Sequence, residues 1–311
     1  MPMHSLSPAI PHPSGKAKWE IRQLDAKPPL RVGAGMVYSY GLSRIVLFGG
    51  HRNMVAKDDT WLWDGSMWQM VTSTPIQPAP RWSPAISYDP LRQQVIMFGG
   101  EDNGKFLSDI WVFDSQGWNE IEPQDGPSAR SGSAMAFDSL SQACVMFGGY
   151  DGAAHLDETW SWNGKNWSRL PQSTVSYPAR RTAMALCQNT FRKGLLLSGG
   201  HGDGSLVLED TWTWDGSQWR EEEPGPRRFS HAMAESSLPD EIVLFGGNNG
   251  EDTLGETWIW NGHVWTERKD LALHPHDGDR LSMAYDSVRS EVVEFGGEGS
   301  EGTNNETWIW K

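Results

Sequence analysis

A Gly-Gly pair ends an apolar run six times in this chain: Gly49-Gly50, Gly99-Gly100, Gly148-Gly149, Gly199-Gly200, Gly246-Gly247 and Gly296-Gly297. The intervals are 50, 49, 51, 47 and 50 residues, so the chain is six copies of one unit. Some ten residues past each pair stands an acidic-Thr-Trp-x-Trp phrase, opening at Asp59, Asp109, Glu158, Asp210, Glu256 and Glu306. The second copy departs from it, with Ile110 for Thr and Phe113 for the second Trp. Each phrase alternates with period two, the mark of a strand with one buried face.

Four phrases run into Asp64-Gly65, Asn163-Gly164, Asp215-Gly216 or Asn261-Gly262. These dipeptides predict the tight two-residue hairpin in which both central residues take positive φ. Trp68, Trp118, Trp167, Trp219 and Trp265 follow in the returning strands, and two further strands precede each Gly-Gly pair, as at 36–38 and 45–48. Four strands in each of six units predict an all-β, six-bladed propeller of four-stranded antiparallel blades. The blades fall at about 31–75, 81–124, 130–173, 180–222, 227–269 and 280–311, the last completed by 14–25. The Gly-Gly pairs, Trp ladder and hairpin signals together resemble the kelch-repeat family over residues 14–311, as a single freestanding propeller.

The sixth unit reaches only Trp310 and lacks an outer strand. Gly15-Lys16-Ala17-Lys18-Trp19 echoes Gly164-Lys165-Asn166-Trp167 with one extra residue. The N-terminal segment is therefore expected to pair onto the last blade and close the ring without an open edge. Residues 1–13 are read as a flexible, Pro-rich tail with no signal-peptide pattern. Sixteen of the eighteen tryptophans fall in the repeated strands and Trp19 joins them, so they are assigned to packing between blades rather than to a ligand platform. Trp82 alone lies outside the ladder.

A net charge of −14 argues against nucleic acid as a partner, because such binding rests on neutralising phosphates. No apolar run is long enough to span a membrane. Cys144 and Cys187, both in apolar surroundings, are read as buried free thiols of a cytoplasmic monomer.

Shared positions build a repeat scaffold, so function is sought where units differ. Aligned on Met36, Ile86, Met135, Met184, Met233 and Met283, the inner strands open with Arg31, Arg81, Arg130 and Arg228, and with Arg181 and Arg280 displaced by two residues. The kelch resemblance implies that strand start and post-Gly-Gly loop share one face around the central channel. That face would carry these six arginines with Trp82, His51 and His201. An arginine ring suits a carboxylate or phosphate, so an anionic small molecule or acidic protein segment is the expected ligand. The competing reading gives the arginines to backbone carbonyls and acids at the blade junctions.

Three departures stand out. Glu294 fills a slot that holds Leu or Met in the other units, a costly place for a carboxylate unless it is paired or protonated. It is a candidate general acid or base, or else an ion-pair partner of Arg280 or Arg31. His231 is alone at its inner-strand position, a second candidate catalyst or a hydrogen-bonded structural histidine. Ser198 replaces the Phe that precedes Gly-Gly elsewhere, leaving a cavity unless Phe191 refills it.

The 274–279 segment is the richest in metal-ligand side chains. Glu267, Asp270 and His274 nonetheless miss the Glu-x3-Asp-x3-His spacing of the iron-binding nitrile-specifier kelch proteins. The Tyr-Cys copper site of galactose oxidase has no counterpart either, so no metal or cofactor is expected. The leading function is a binding module at an arginine-lined mouth. The alternative is a non-redox enzyme, an isomerase, lyase or cyclase, using Glu294 or His231 as the kelch-type sialate mutarotases suggest.

Overall fold

A computed structural model describes residues 17–72, 76–173, 176–238 and 241–311. The expected 1–13 tail lies outside the described residues. Six four-stranded antiparallel sheets surround an axis as a six-bladed propeller. Blade 1 runs outward through Gly35–Ser39, Arg44–Phe48, Thr60–Trp63 and Trp68–Met70, and each later blade repeats this order. The inner strands stand side by side in a closed ring, with that of blade 6 against that of blade 1.

Closure follows the sequence expectation. Trp19–Ile21 forms the outer strand of blade 6, pairing Trp19 with Trp310 and Ile21 with Trp308. The two ends of the chain thus share one sheet, leaving no unpaired edge between first and last blades.

Alternation along each strand sends side chains into the two flanking blade interfaces. Val46 and Phe48 pack with blade 2, and Ile45 and Leu47 with blade 6. The outer-strand tryptophans bind neighbouring blades by one repeated bond. Trp68, Trp118, Trp219, Trp265 and Trp19 donate Nε1–H to Thr307, Thr60, Thr159, Thr211 and Thr257 of the preceding blade, at 2.9–3.0 Å. Trp167 shares a buried cluster with Ile110, which stands where the other blades carry Thr, and its buried indole N–H has no acceptor among the described residues.

The outer hairpins differ from the two-residue expectation. Trp63 pairs with Trp68, so four residues connect the strands, and Asp64 accepts from the backbone N–H groups of Ser66 and Met67. Gly65 takes φ +95° while Asp64 does not enter the left-handed region. The acidic or amide residue is there for its side-chain acceptor, and only the glycine for its φ.

No helix of the described residues is long and apolar enough to cross a membrane.

Candidate functional site

Five of the six arginines are not at the channel mouth. Arg31, Arg81, Arg130, Arg181 and Arg228 are at most 3% exposed. Each reaches outward through its own blade to the acid that opens the Trp phrase: Asp59, Asp109, Glu158, Asp210 and Glu256. Arg31, Arg81 and Arg181 do so with two parallel bonds of 2.6–2.7 Å. In all five, Nη1 also donates to the carbonyl of the first glycine of the Gly-Gly pair. Burial works to raise the Asp59 carboxyl, but Arg31 overrides it and holds the group below the usual carboxylate range. Four of these guanidinium groups are bonded at Nε, Nη1 and Nη2, and Arg228 at Nη1 and Nη2, so they clamp inner strand to third strand from inside the blades.

Strand register also corrects the alignment of blade 4. Leu186 pairs with Leu197 as Met36 pairs with Leu47, so Leu186 and not Met184 is the repeat equivalent, and Arg181 lies in full register. His231 accordingly corresponds to Met184 rather than Thr182.

Blade 6 has no clamp. The backbone position that accepts from the second glycine, Arg81 for Gly50, is Gly278 for Gly247. Arg280 lies two residues further on, 38% exposed, paired with Asp279 at 3.0 Å and Glu298 at 2.8 Å. Glu306, the acid without an arginine, accepts from Trp308 Nε1. Glu294 is buried in the same blade, in register with Met283 and Trp308, so it shares their face toward blade 5. Neither expected ion pair forms: Arg31 is bound to Asp59 and Arg280 to the mouth acids. Burial first, and the nearby Glu306 second, push the Glu294 carboxyl well above its ordinary value.

At the mouth on the Gly-Gly loop side, six residues close a ring of backbone bonds. Gly33, Ser83, Gly132, Ala183, Ser230 and Arg280 each donate N–H to the preceding blade's member at 2.7–2.9 Å, Gly33 to Arg280. All six have φ between +49° and +66°. His231 lines the small cavity behind this ring, beside Gly199 of blade 4. Among the described residues neither of its buried ring nitrogens has a partner, and burial, with Arg228 nearby, lowers its pKa to about 3. Such a weak base is poorly suited to proton transfer near neutrality. His231 and Glu294 face different blade interfaces, so the structure does not bring the two candidate catalysts together.

Around that ring a short hairpin or loop follows each Gly-Gly pair. His51 packs against Trp82 with ring centres 4.7 Å apart and planes tilted by 58°, and both are buried. Across blades 2 to 5 a second aromatic series is half-buried: Phe106–Tyr150, Tyr150–His155, His155–His201 and His201–Phe229, at 5.7, 5.2, 5.4 and 5.1 Å. His155 Nδ1 faces Asp203 at 2.9 Å. Burial, with His155 adjacent, lowers the pKa of His201, and burial with Arg280 nearby lowers that of His51.

The opposite mouth carries residues that the sequence reading passed over. Two positions past the channel-lining Met36 column, the inner strands bear Tyr38, Tyr88, Phe137, Gln188, Glu235 and Tyr285. Four aromatic rings are broken on adjacent blades by an amide and a carboxylate. They line a cavity of about 160 Å³ whose deeper wall holds Met36, Ile86, Met135, Leu186, Met233 and Met283. Cys187 stands in that wall, only partly buried, while Cys144 is buried with its thiol pushed up to about 12. A comparison of the units column by column exposes Glu235 from the sequence, whereas Gln188 falls into this column only with the strand register of blade 4.

Phe191 is 60% exposed and does not refill the place left at Ser198, whose buried hydroxyl has no partner among the described residues. In the 274–279 loop, His274 Nδ1 lies 2.8 Å from the Pro275 carbonyl, and Asp277 accepts from the backbone and hydroxyl of Ser300.

Residues 33–221 match the KLHDC2/KLHL20/DRC7 Kelch-repeats domain family. No curated protein matches the chain.

Proposed function

Because this chain belongs to the kelch-repeat family, whose domains generally mediate protein–protein interaction, we propose that it is a protein-binding module that docks its partner on the Gly-Gly loop face. One observation carries this reading: the aromatic series from Phe106 to Phe229, continuous over four blades and half-buried on one face. Such rings supply large contact area at little entropic cost, and aromatic residues are enriched in interface cores. Asp203 beside His155, Arg180 paired with Asp203, and Glu101 opposite Phe106 supply the polar rim such an interface has.

Of the six arginines of the anionic-ligand reading only Arg280 stays at the mouth, joined there by the exposed Arg52 and Arg180, since the other five are buried inside the blades. His51 and His201, with lowered pKa values, add no charge near neutrality. The partner segment is therefore read as apolar and hydrogen-bonding rather than acidic. In the enzyme alternative the two candidates, Glu294 and His231, face different blade interfaces and form no acid–base pair with each other, so binding is the reading favoured.

A photo-crosslinking residue placed at His155 should capture a discrete partner, and one at Val264 on an outer hairpin should not. Replacing Tyr150 and His201 together by Ala should remove that crosslink while leaving the melting temperature within a few degrees. Equal capture from both positions would sink the assignment. Loss of capture in Arg52→Glu with Arg280→Glu, but not in the aromatic variant, would restore the acidic segment.

A further inference from the structure

The mouth opposite the proposed docking face has the makings of a second site. Four of the chain's six tyrosines gather there: Tyr38, Tyr40, Tyr88 and Tyr285. Tyr38 meets Tyr40 at 5.1 Å and 90°, and Tyr40 meets Tyr88 at 5.4 Å. Glu235 enters this aromatic wall from blade 5. Its carboxylate accepts from the backbone N–H and hydroxyl of Thr190, and among the described residues no Lys or Arg pairs with it. Burial raises its pKa, as happens to a carboxylate lacking a counter-charge. Deeper in, the wall is methionine, isoleucine and leucine.

We propose that this mouth is a binding site for a small alkylammonium ion, with the cationic head among the tyrosine rings beside Glu235 and the alkyl tail on the methionine wall. The electron-rich faces of aromatic rings attract quaternary and methylated ammonium groups, and a carboxylate of low accessibility adds a counter-charge without demanding a metal. The order of the layers sets the orientation. Tyr40 is exposed and Glu235 and Tyr285 half-buried at the opening, Tyr38 and Tyr88 are buried behind them, and the methionine column stands two residues further back along the inner strands. A free amphiphilic amine enters tail first and satisfies both layers. A lysine side chain from a peptide enters head first and would carry its charge past Glu235 onto methionine, where desolvation is uncompensated. A neighbouring cavity of about 270 Å³ shares Tyr40, Glu235 and Tyr285 and gives the head group lateral room. The overall charge of −14 favours cation approach.

Calorimetry with hexyltrimethylammonium tests this against two comparison ligands, the isosteric neutral hydrocarbon with carbon in place of nitrogen and a peptide containing trimethyl-lysine. Saturable binding of the ammonium, at least about tenfold tighter than either, is the expected result. Glu235→Gln retains the acceptor for Thr190 and should weaken the ammonium about tenfold with an unchanged melt. Tyr88→Leu and Tyr285→Leu should each weaken it about three- to tenfold. Absence of saturable binding in the folded wild type overturns the proposal. Equal affinity for the neutral isostere reduces the mouth to an apolar cavity, and tighter peptide binding overturns the tail-first orientation. Because none of these substitutions touches the Gly-Gly loop face, partner crosslinking at His155 should be unaffected.

Discussion

Glu294 shows what one side chain does when its repeat slot is apolar and its blade has no arginine clamp. Its pKa is raised on folding, so the native chain holds the proton more tightly than the unfolded one. Stability from this group is greatest below the ordinary carboxylate range and falls as pH rises toward the folded value. Glu294→Leu should flatten that fall and gain about 2 kcal/mol or more at pH 8, with little change at pH 4, in denaturant melts at the two pH values. A Leu variant weaker than wild type at pH 8 would mean that the carboxylate has a compensating partner. Gly278→Arg should act on the same defect from the other side. Gly278 does not use positive φ, and an added Cβ would meet nothing closer than Leu281 Cδ2 at 3.7 Å. The new guanidinium is expected to bind Glu306 as Arg31 binds Asp59, raise the melting temperature and bring the Glu294 pKa down, as read by NMR titration.

Within the element, the Trp phrase is a fastening device in two directions. Its acid holds the arginine of its own blade, and its Thr accepts the indole of the next. Removing a buried arginine strands a carboxylate, so Arg181→Ala should cost about 3–5 kcal/mol. Arg280→Ala, which breaks two partly exposed pairs at the mouth, should cost less, about 1 kcal/mol. Thermal and urea melts of the two variants would separate clamp from mouth, and similar costs would return Arg280 to the scaffold. Thr60→Val keeps shape but orphans the Trp118 indole, and should cost about 1–3 kcal/mol. The repeated Arg and Asp letters were legible one by one. Their pairing across 28 or 29 residues was not, because no local spacing says whether an arginine points along the axis or back through its sheet.

For the whole molecule, stability depends on a closed ring. Deleting residues 1–22 removes the Trp19–Ile21 strand, its ladder with Trp308–Trp310 and the Trp19 bond to Thr257. Blade 6 then has a bare edge and its interface with blade 5 loses a large ring, so the melting temperature should fall by more than in any single-residue variant above. Amide exchange should be fastest in 291–310 of the truncated protein. Unchanged protection there would mean that closure does not rest on this strand.

The sequence alone determined the number of blades, the strand order, the ring closure and the packing role of the tryptophans. Each of these is written as a period, and a periodic signal repeated six times outweighs local ambiguity. It also marked Glu294, His231 and Ser198 as departures, since a break in a period is as visible as the period. Tertiary structure alone decided where charge and aromatic surface lie. It turned five arginines inward, left Arg280 at the mouth, slid blade 4 by two residues relative to the methionine alignment, and gathered Tyr38, Tyr88, Glu235 and Tyr285 around one opening. The physical reason is that strand alternation defines two sides of a blade but not which polar group a long side chain will reach. That choice depends on carbonyls and carboxylates brought near only when six sheets close around an axis.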